Sequence, residues 1–152
     1  MDCLIRIATA EDSTAISKVI INALRESNAL DYSPEIILQV EEGFSPKAII
    51  DLLIQRQVYV ATIRGQVVAT ASLDRDVVRS VFVDPPHQGT GIGRQLMTML
   101  LEVAVNGRIE RLRVPSSITA EGFYSSLGFN KIRDEFHGAE RTIIMERLLG
   151  LT

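Results

Sequence analysis

The 152-residue sequence contains one cysteine and two histidines, and this scarcity excludes several kinds of site. Cys3 has no partner for an internal disulfide, and its expected role is that of a small apolar residue buried in the first strand. His87 and His137 are far apart in the chain, so they form no cluster with the spacing of zinc ligands. The sequence therefore predicts neither a disulfide framework nor a metal centre.

Basic charge and aromatic rings are also scarce. Sixteen Lys and Arg residues stand against nineteen Asp and Glu residues, which gives a formal net charge of −3. Proteins that bind nucleic acids in general show a basic excess, so we expect no nucleic-acid partner. Aromatic residues make up 5% of a chain that is 46% hydrophobic, which predicts a core of aliphatic side chains.

Long apolar runs are absent from the sequence as well. No stretch approaches the roughly 18 to 20 continuous apolar residues that a membrane span requires. The N-terminal segment "MDCLIRIATAED" lacks the basic start and apolar run of a signal peptide. We therefore expect a soluble cytoplasmic protein with no membrane partner, folded as one domain over residues 1–152.

The patterns that are present predict an α/β chain. A short strand over residues 3–8 precedes a helix that begins in a capping-box pattern, Thr9 with Asp12, and two helices that begin at Ser-Pro pairs. Three strands, a helix, a strand, a short helix and a final hairpin follow over residues 57–149. This order predicts a mixed central sheet of about six to seven strands flanked by helices.

A glycine-rich segment, "VFVDPPHQGTGIGRQLM" at residues 81–97, lies between a predicted strand and a predicted helix. The first backbone N–H groups of a helix lack intrahelical partners, and the helix dipole adds positive charge there. Without side chains at Gly89, Gly91 and Gly93, these amides can hold a phosphate directly, and Arg94 can add a charge-assisted contact. A glycine-rich turn that binds no ligand is the alternative.

Two nucleotide-binding motifs do not fit this segment. A P-loop requires Lys followed by Ser or Thr after its last glycine, and neither pair is present. A Rossmann loop reads G-x-G-x-x-G in an early βαβ unit, with an acidic residue that ends the next strand. The loop here reads G-x-G-x-G in the second half of the chain, and Glu110 opens its strand.

The same segment resembles motif A of the GNAT acetyltransferases, Gln/Arg-x-x-Gly-x-Gly/Ala, with Gln88, Gly91 and Gly93 at the defining positions. A second segment, "SITAEGFYSSLGF", resembles motif B of that family. Its matching residues are Ala120, Phe123, Tyr124, Gly128 and Phe129. Ser117 stands where many relatives carry Asn. The predicted order of strands and helices is similar to the GNAT fold over nearly the whole chain.

The resemblance implies an acetyl-CoA-dependent N-acetyltransferase without a metal, acting on a primary amine of a small molecule or peptide; a homodimer stays open. In this family the loop amides hold the pyrophosphate of acetyl-CoA, and the preceding strand binds the pantetheine arm and the thioester. The implied cofactor-binding residues are Phe82, Val83, Gln88, Gly89, Thr90, Gly91, Ile92, Gly93, Arg94 and Ser117.

The resemblance also implies that Tyr124 is the general acid for the departing thiolate. An amphipathic core residue with a surface hydroxyl is the alternative interpretation of Tyr124. The carboxylates of Asp74 and Asp76 are candidates for the general base, although both residues also suit a turn between strands. His137 is either a solvated turn residue or a neighbour of the acceptor, and His87 is expected to be exposed and without chemistry.

Residues 26–46 carry five acidic side chains and no Lys or Arg. They predict either a solvated helix face or an acidic mouth that attracts a cationic amine. Two rival functions stay open beside amine acetylation: a non-catalytic acyl-CoA-binding sensor and a transferase for a longer acyl chain. Tyr124 favours catalysis over sensing, because a sensor does not need to protonate a thiolate.

Overall fold

The computed structural model describes residues 2–150 and contains a single seven-stranded sheet within them. The strands are β1 Cys3–Ile7, β2 Gln57–Ile63, β3 Gln66–Asp74, β4 Val77–Val83, β5 Arg111–Ser116, β6 Asn130–His137 and β7 Glu140–Leu148. Their order across the sheet is β1-β2-β3-β4-β5-β7-β6. Only β4 and β5 run parallel among the described strands, so the predicted mixed sheet is confirmed.

The helices also follow the predicted order. They are α1 Ser13–Glu26, α2 Pro34–Glu41, α3 Pro46–Gln55, α4 Ile92–Asn106 and α5 Glu121–Ser126. The two Ser-Pro pairs begin α2 and α3, as predicted. The hydroxyl of Ser33 accepts a hydrogen bond from the Ile36 amide at 3.3 Å, and that of Ser45 accepts one from the Ala48 amide at 3.2 Å. In residues 2–150, no helix combines the length and the apolar character that crossing a bilayer demands.

The capping box at Thr9 and Asp12 is present and opens a short 3-10 turn that leads into α1. The Asp12 carboxylate accepts a hydrogen bond from the Thr9 amide at 2.8 Å. It also accepts two from the Arg6 guanidinium, at 2.8 and 2.9 Å. These bonds, those from Arg6 first, lower the pKa of Asp12 to about 2. The carboxylate thus joins β1 to the start of α1.

The core consists of two apolar layers on opposite faces of the sheet. Helices α4 and α5 cover one face, where Leu96 and Leu100 are fully buried against strand residues such as Val78. Helices α1, α2 and α3 cover the other face around Ile16 and Val60. Aliphatic side chains dominate both layers, as the composition predicts. Cys3 lies in β1 as expected, but it is only partly buried.

The sheet is divided between its two parallel strands. Strands β4 and β5, both fully described, pair at a single position, Val77 with Arg113, and separate beyond it. A β-bulge interrupts β4 just after this position, because Ser80 and Val81 together face Ala71 of β3. Ser80 adopts the left-handed backbone conformation, with φ of 55°. The separation opens a cleft along the edge of β4.

Candidate active site

A cavity of about 1030 Å³ occupies the cleft between β4 and β5. Its wall includes the glycine loop before α4, the start of α5, the segment between α1 and α3, and the β6–β7 hairpin. Ligand pockets in proteins commonly measure about 300 to 1,000 Å³. The cavity can therefore accept a large ligand, or two ligands that meet inside it.

The glycine loop presents an open backbone to this cavity. Gly89 and Gly91 have φ values of 77° and 88°, which side chains rarely tolerate. A Cβ atom added to either residue would meet nothing within 4 Å, so the space in front of the loop is free. Gly93 has a different role, because a Cβ there would lie 3.4 Å from Phe123 and 3.5 Å from Val83. It allows α4 to pack closely.

The first turn of α4 directs unpaired amides toward the cavity. Gly91 is the N-cap, and its carbonyl accepts the hydrogen bond of the Gln95 amide at 3.0 Å. The amides of Ile92, Gly93 and Arg94 precede that bond and have no intrahelical acceptor. This turn contains no acidic side chain. These three amides, called the amide cradle below, therefore favour an anionic group such as a phosphate.

Tyr124 lines the same cavity from α5. Its side chain is 4% exposed, and its ring makes edge-to-face contacts with Phe123 and Phe129 at centroid distances of 5.2 and 5.7 Å. Burial raises the pKa of the Tyr124 hydroxyl well above its usual value. The residue therefore packs in the core, borders the cavity and holds its proton at neutral pH.

Comparison with known proteins decides the family. Residues 28–145 match the family model described as an acetyltransferase (GNAT) domain. The chain belongs to the GNAT family. It is accordingly an acetyl-CoA-dependent acetyltransferase, and the fold and family inferred from motifs A and B are confirmed. No curated protein sequence matches the chain significantly.

Solved structures share this GNAT fold over almost their whole length. A GCN5-related N-acetyltransferase from Rhodopseudomonas palustris is 21% identical with a TM-score of 0.93, covering 98% of this chain and 97% of that one. The PaiA N-acetyltransferase from Thermoplasma acidophilum, in complex with coenzyme A, is 18% identical with a TM-score of 0.84, covering 98% and 100%. The putative acetyltransferase YncA from Salmonella typhimurium, with acetyl-CoA, is 23% identical with a TM-score of 0.66, covering 97% and 94%.

The side chains of the GNAT loop mostly stabilise the loop itself. The Gln88 amide group donates to the Val83 carbonyl at 3.0 Å and to the Ser27 hydroxyl at 2.9 Å. The Thr90 hydroxyl donates to the carbonyl of His87, and the Ile92 side chain is buried in the core. The loop backbone is therefore what remains available to a ligand.

Three further residues implied to bind acetyl-CoA lie at defined places in the cavity wall. Exposed Arg94 donates to the Ser126 hydroxyl at 3.1 Å, so its guanidinium lies beside the loop. Ser117 caps the turn before α5 by accepting a hydrogen bond from the Ala120 amide at 3.1 Å. The ring of Phe82 packs edge-to-face on Phe44 at 5.8 Å, which leaves its backbone along the cleft.

His87 differs from its sequence prediction. It is partly buried in the cavity wall instead of exposed, and its Nδ1 atom is buried without a hydrogen-bond partner among residues 2–150. His137 is exposed at the end of β6 and also borders the cavity. Across the described residues, no three His, Cys, Asp or Glu side chains are grouped as metal ligands.

The structure does not place Asp74 and Asp76 in the cavity wall. Asp74 lies 3.4 Å from the Arg79 guanidinium, and exposed Asp76 contributes its backbone carbonyl to the Arg113 amide at 3.0 Å. The carboxylates that line the cavity are Glu135 and Glu140, both from the β6–β7 hairpin. Sequence analysis did not select them, because no neighbouring residue indicates that a carboxylate in this hairpin will line a cavity built from distant parts of the chain.

The acidic side chains of segment 26–46 do not line the cavity. Its lining residues are uncharged: Ser27, Asn28, Tyr32, Ile36, Ile37, Val40 and Phe44. Glu41 pairs with Arg25 at 2.8 Å, and Asp31 accepts a hydrogen bond from Thr119 at 2.8 Å. The solvated-face interpretation fits this arrangement, whereas an acidic mouth does not.

Tyr32 is another functional candidate that no sequence pattern indicated. Its hydroxyl donates to the Arg141 carbonyl of β7 and accepts from the Ile118 amide before α5, both at 2.8 Å. Burial is the main reason that the pKa of Tyr32 is raised. The residue thus connects the segment before α2 to β7 and to the turn before α5, and it lines the cavity.

Proposed function

We propose that the protein transfers the acetyl group of acetyl-CoA to a primary amine by direct attack, with Tyr124 as the proton donor to the leaving thiolate. One observation carries the proposal: the amide cradle of the glycine loop and the Tyr124 side chain line a single cavity. An anion held at the loop and an acyl group near α5 can then belong to one extended molecule.

The residues present fit acetyl-CoA. The open cradle at Gly89 and Gly91 suits the pyrophosphate, and Arg94 adds positive charge beside it. The separated edge of β4 near Phe82 and Val83 offers backbone groups to the pantetheine arm and the thioester carbonyl. Two solved relatives of this fold were obtained with coenzyme A and acetyl-CoA. Acetyl-CoA supplies an acetyl group activated as a thioester.

Tyr124 is suited to protonate the sulfur as the C–S bond breaks. A cysteine-like thiol has a pKa of about 8.5, so its thiolate can leave unaided, but proton donation by a positioned acid typically contributes about 10²- to 10⁴-fold. Because burial raises the pKa of Tyr124, its hydroxyl stays protonated over the whole neutral range. Its ring contacts with Phe123 and Phe129 fix the position of the donor.

The proton of the attacking amine needs a route to a base. The sequence candidates Asp74 and Asp76 would have to act through water from outside the cavity wall. Glu140 is better placed, since it lines the cavity. Glu135 also lines it but is bound to Arg133, with the nitrogen and oxygen 2.6 Å apart. We therefore favour Glu140 as the proton acceptor, directly or through water.

The test combines binding with turnover. Acetyl-CoA and longer acyl-CoAs are compared for the rise in melting temperature that each gives, and a panel of primary amines is then assayed for release of free thiol. We expect acetyl-CoA to stabilise the protein and at least one amine to accelerate thiol release. Stabilisation by acetyl-CoA with no thiol release for any amine would instead support the sensor. A larger rise and faster transfer with a longer acyl-CoA would reassign the donor.

A further inference from the structure

The charged side chains around the cavity are unevenly distributed. Four arginines line the part of the wall away from the glycine loop: Arg56 just before β2, Arg79 of β4, Arg113 of β5 and Arg133 of β6. Only two carboxylates, Glu135 and Glu140, share that wall. Glu135 is paired with Arg133, so this pair contributes little net charge. The remaining arginines form a basic cluster, defined here as Arg56, Arg79 and Arg113.

Arg56 is the most enclosed member of the basic cluster. It stands where α3 ends and β2 begins, and it is partly buried. Among residues 2–150 its side chain makes one hydrogen bond, from Nη1 to the Ser80 hydroxyl at 3.1 Å, and no ion pair. A guanidinium carries five N–H donors, so most of its hydrogen-bonding capacity is unused.

The other two members approach the same place from the sheet. Val77 of β4 is level with Arg113 of β5, and Arg79 follows two positions later on β4. Side chains two apart on a strand share a face, so both guanidiniums lie on the face that α1–α3 cover. Arg79 has a partial partner in Asp74, at 3.4 Å, whereas Arg113 has no ion pair among the described residues.

The three guanidiniums of the cluster have one neighbouring carboxylate, Asp74, so positive charge is in excess. Burial first, and then the neighbouring charge of Arg79, lower the pKa of Arg56, and Asp74 offsets only part of this effect, so a positive charge at Arg56 is disfavoured by its surroundings. An oxyanion that accepts hydrogen bonds from Arg56 and Arg79 would offset their mutual repulsion and part of the cost of burying Arg56. The acidic side chains of residues 26–46 cannot do so, because they lie outside this wall.

We propose that the acceptor amine also carries an anionic oxygen group, a carboxylate or a phosphate, which Arg56, Arg79 and Arg113 bind. This inference rests on the proposed function, since it identifies the chemical class of the acceptor. The cluster lies where β4 and β5 meet, and Val83 lies four residues beyond Arg79 on β4, at most about 13 Å along the strand. The basic cluster therefore binds the anionic end of the acceptor, while the amine at its other end lies near Val83.

Matched pairs of amines test the proposal. Tripeptides and tetrapeptides, which span about 10 to 14 Å when extended, are each compared with their C-terminal amides, and 8-aminooctyl phosphate is compared with 8-aminooctanol, by kcat/KM for thiol release. We expect the anionic member to be favoured at least about tenfold, because it gains charge-assisted hydrogen bonds. The carboxylate and phosphate pairs show separately which anion the site takes. Equal or better activity of the neutral members would overturn the proposal.

Variants locate the effect. Arg79→Gln and Arg56→Gln should reduce the preference at least about tenfold through KM for the amine, with KM for acetyl-CoA changed less than about threefold. Arg56→Lys should restore part of the preference. Arg111→Gln is the matched control, since Arg111 is on the same sheet but outside the cavity wall. Ser80→Ala removes the hydrogen bond to Arg56 but keeps the charge of Arg56. If Ser80→Ala lost the preference for anionic amines as Arg56→Gln does, the role of Arg56 would be to support the bulge and not to bind the anion.

Calorimetry separates this proposal from the proposed function. The same amine pairs are titrated into the protein saturated with coenzyme A, where no transfer occurs. Tighter binding of the anionic members, lost in Arg79→Gln, supports the anion site even if no amine releases thiol, and in that case the acetyltransfer proposal alone would fail. Binding without preference, or no binding of either member of any pair, would overturn the anion site.

Discussion

The guanidinium of Arg56 donates a hydrogen bond to the hydroxyl of Ser80, 3.1 Å away, at the bulge of β4. A non-glycine residue in the left-handed region costs about 1 kcal/mol or more, and this bond helps to hold Ser80 there. The bulge shifts the alternation of side chains along β4. As a result Phe82 packs on Phe44, while Val83 faces Gly93 and the start of α4. The position of the β4 edge that we propose binds the cofactor thus depends on Arg56, at the end of α3.

Replacement of Tyr124 by Phe should lower single-turnover acetyl transfer at least about tenfold, because the ring stays and only the proton donor is lost. Affinity for acetyl-CoA should change less than about threefold. Single-turnover rates are measured because slow product release can conceal the chemical step. Tyr59→Phe is the control, since Tyr59 is buried in the same core but outside the cavity wall. A wild-type rate for Tyr124→Phe would show that water supplies the proton.

Gly91→Val should weaken acetyl-CoA binding at least about tenfold, or 1.4 kcal/mol, because it strains φ of 88° and fills the free space before the amide cradle. Calorimetric titration measures this loss. Gly65→Val provides the matched comparison, since Gly65 has φ of 78° and equally open surroundings in the turn between β2 and β3. It should lose stability without losing affinity. Equal affinities for Gly91→Val and wild type would remove the loop from the cofactor site.

The proton acceptor can be identified by comparing Glu140→Gln with Asp74→Asn and Asp76→Asn. Glu140 lines the cavity and the two aspartates do not, so only Glu140→Gln should reduce kcat, at least about tenfold near neutral pH. The measurement is the pH dependence of kcat for one amine across all three variants. A loss confined to either aspartate variant would restore the candidate that the sequence suggested.

Asp12 should make stability fall in acid over a defined range. Its folded-state pKa of about 2 lies below the usual 3.8, so the carboxylate stabilises the fold above about pH 4 and loses this contribution as the pH falls toward 2. Asp12→Asn should therefore lower the melting temperature at pH 7 by a few degrees, for about 1 to 2 kcal/mol after allowance for the exposed side of Arg6. The difference should disappear near pH 2. Glu11→Gln, at an exposed neighbouring position, should show no such trend.

Local signals in the sequence account for the features that were predicted correctly. Ser33 and Ser45 cap helices through amides three residues away, and the glycines of the loop set their own backbone angles, so neighbouring residues suffice. The apolar positions of α1 likewise reveal their buried face through their spacing. These features required no knowledge of distant contacts.

The charged wall of the cavity depends on distant contacts and was not predicted. Arg113 comes level with Val77 only through the pairing of β4 with β5, which are separated by the whole of α4. Arg56 forms a hydrogen bond with Ser80 although the whole of β2 and β3 separates the two residues in the sequence. Similarly, Asp74 and Asp76 lie just before β4 in the sequence, but neither lines the cavity. Sequence patterns alone contain neither the register nor the direction of these groups.

The two halves of the cavity wall come from separate parts of the chain. Residues 82–94 build the side that we propose binds the cofactor, whereas residues 27–44 and 133–144, together with the basic cluster, contribute much of the opposite side. Under the proposed function, substitutions in the helical segment, the last hairpin or the basic cluster alter which amine is accepted while acetyl-CoA is bound as before. A lineage of such proteins can then exchange one acceptor for another by changing residues of this wall while its donor stays the same. Tyr32 limits that freedom, because its hydroxyl connects the helical segment to the last hairpin and to the turn before α5.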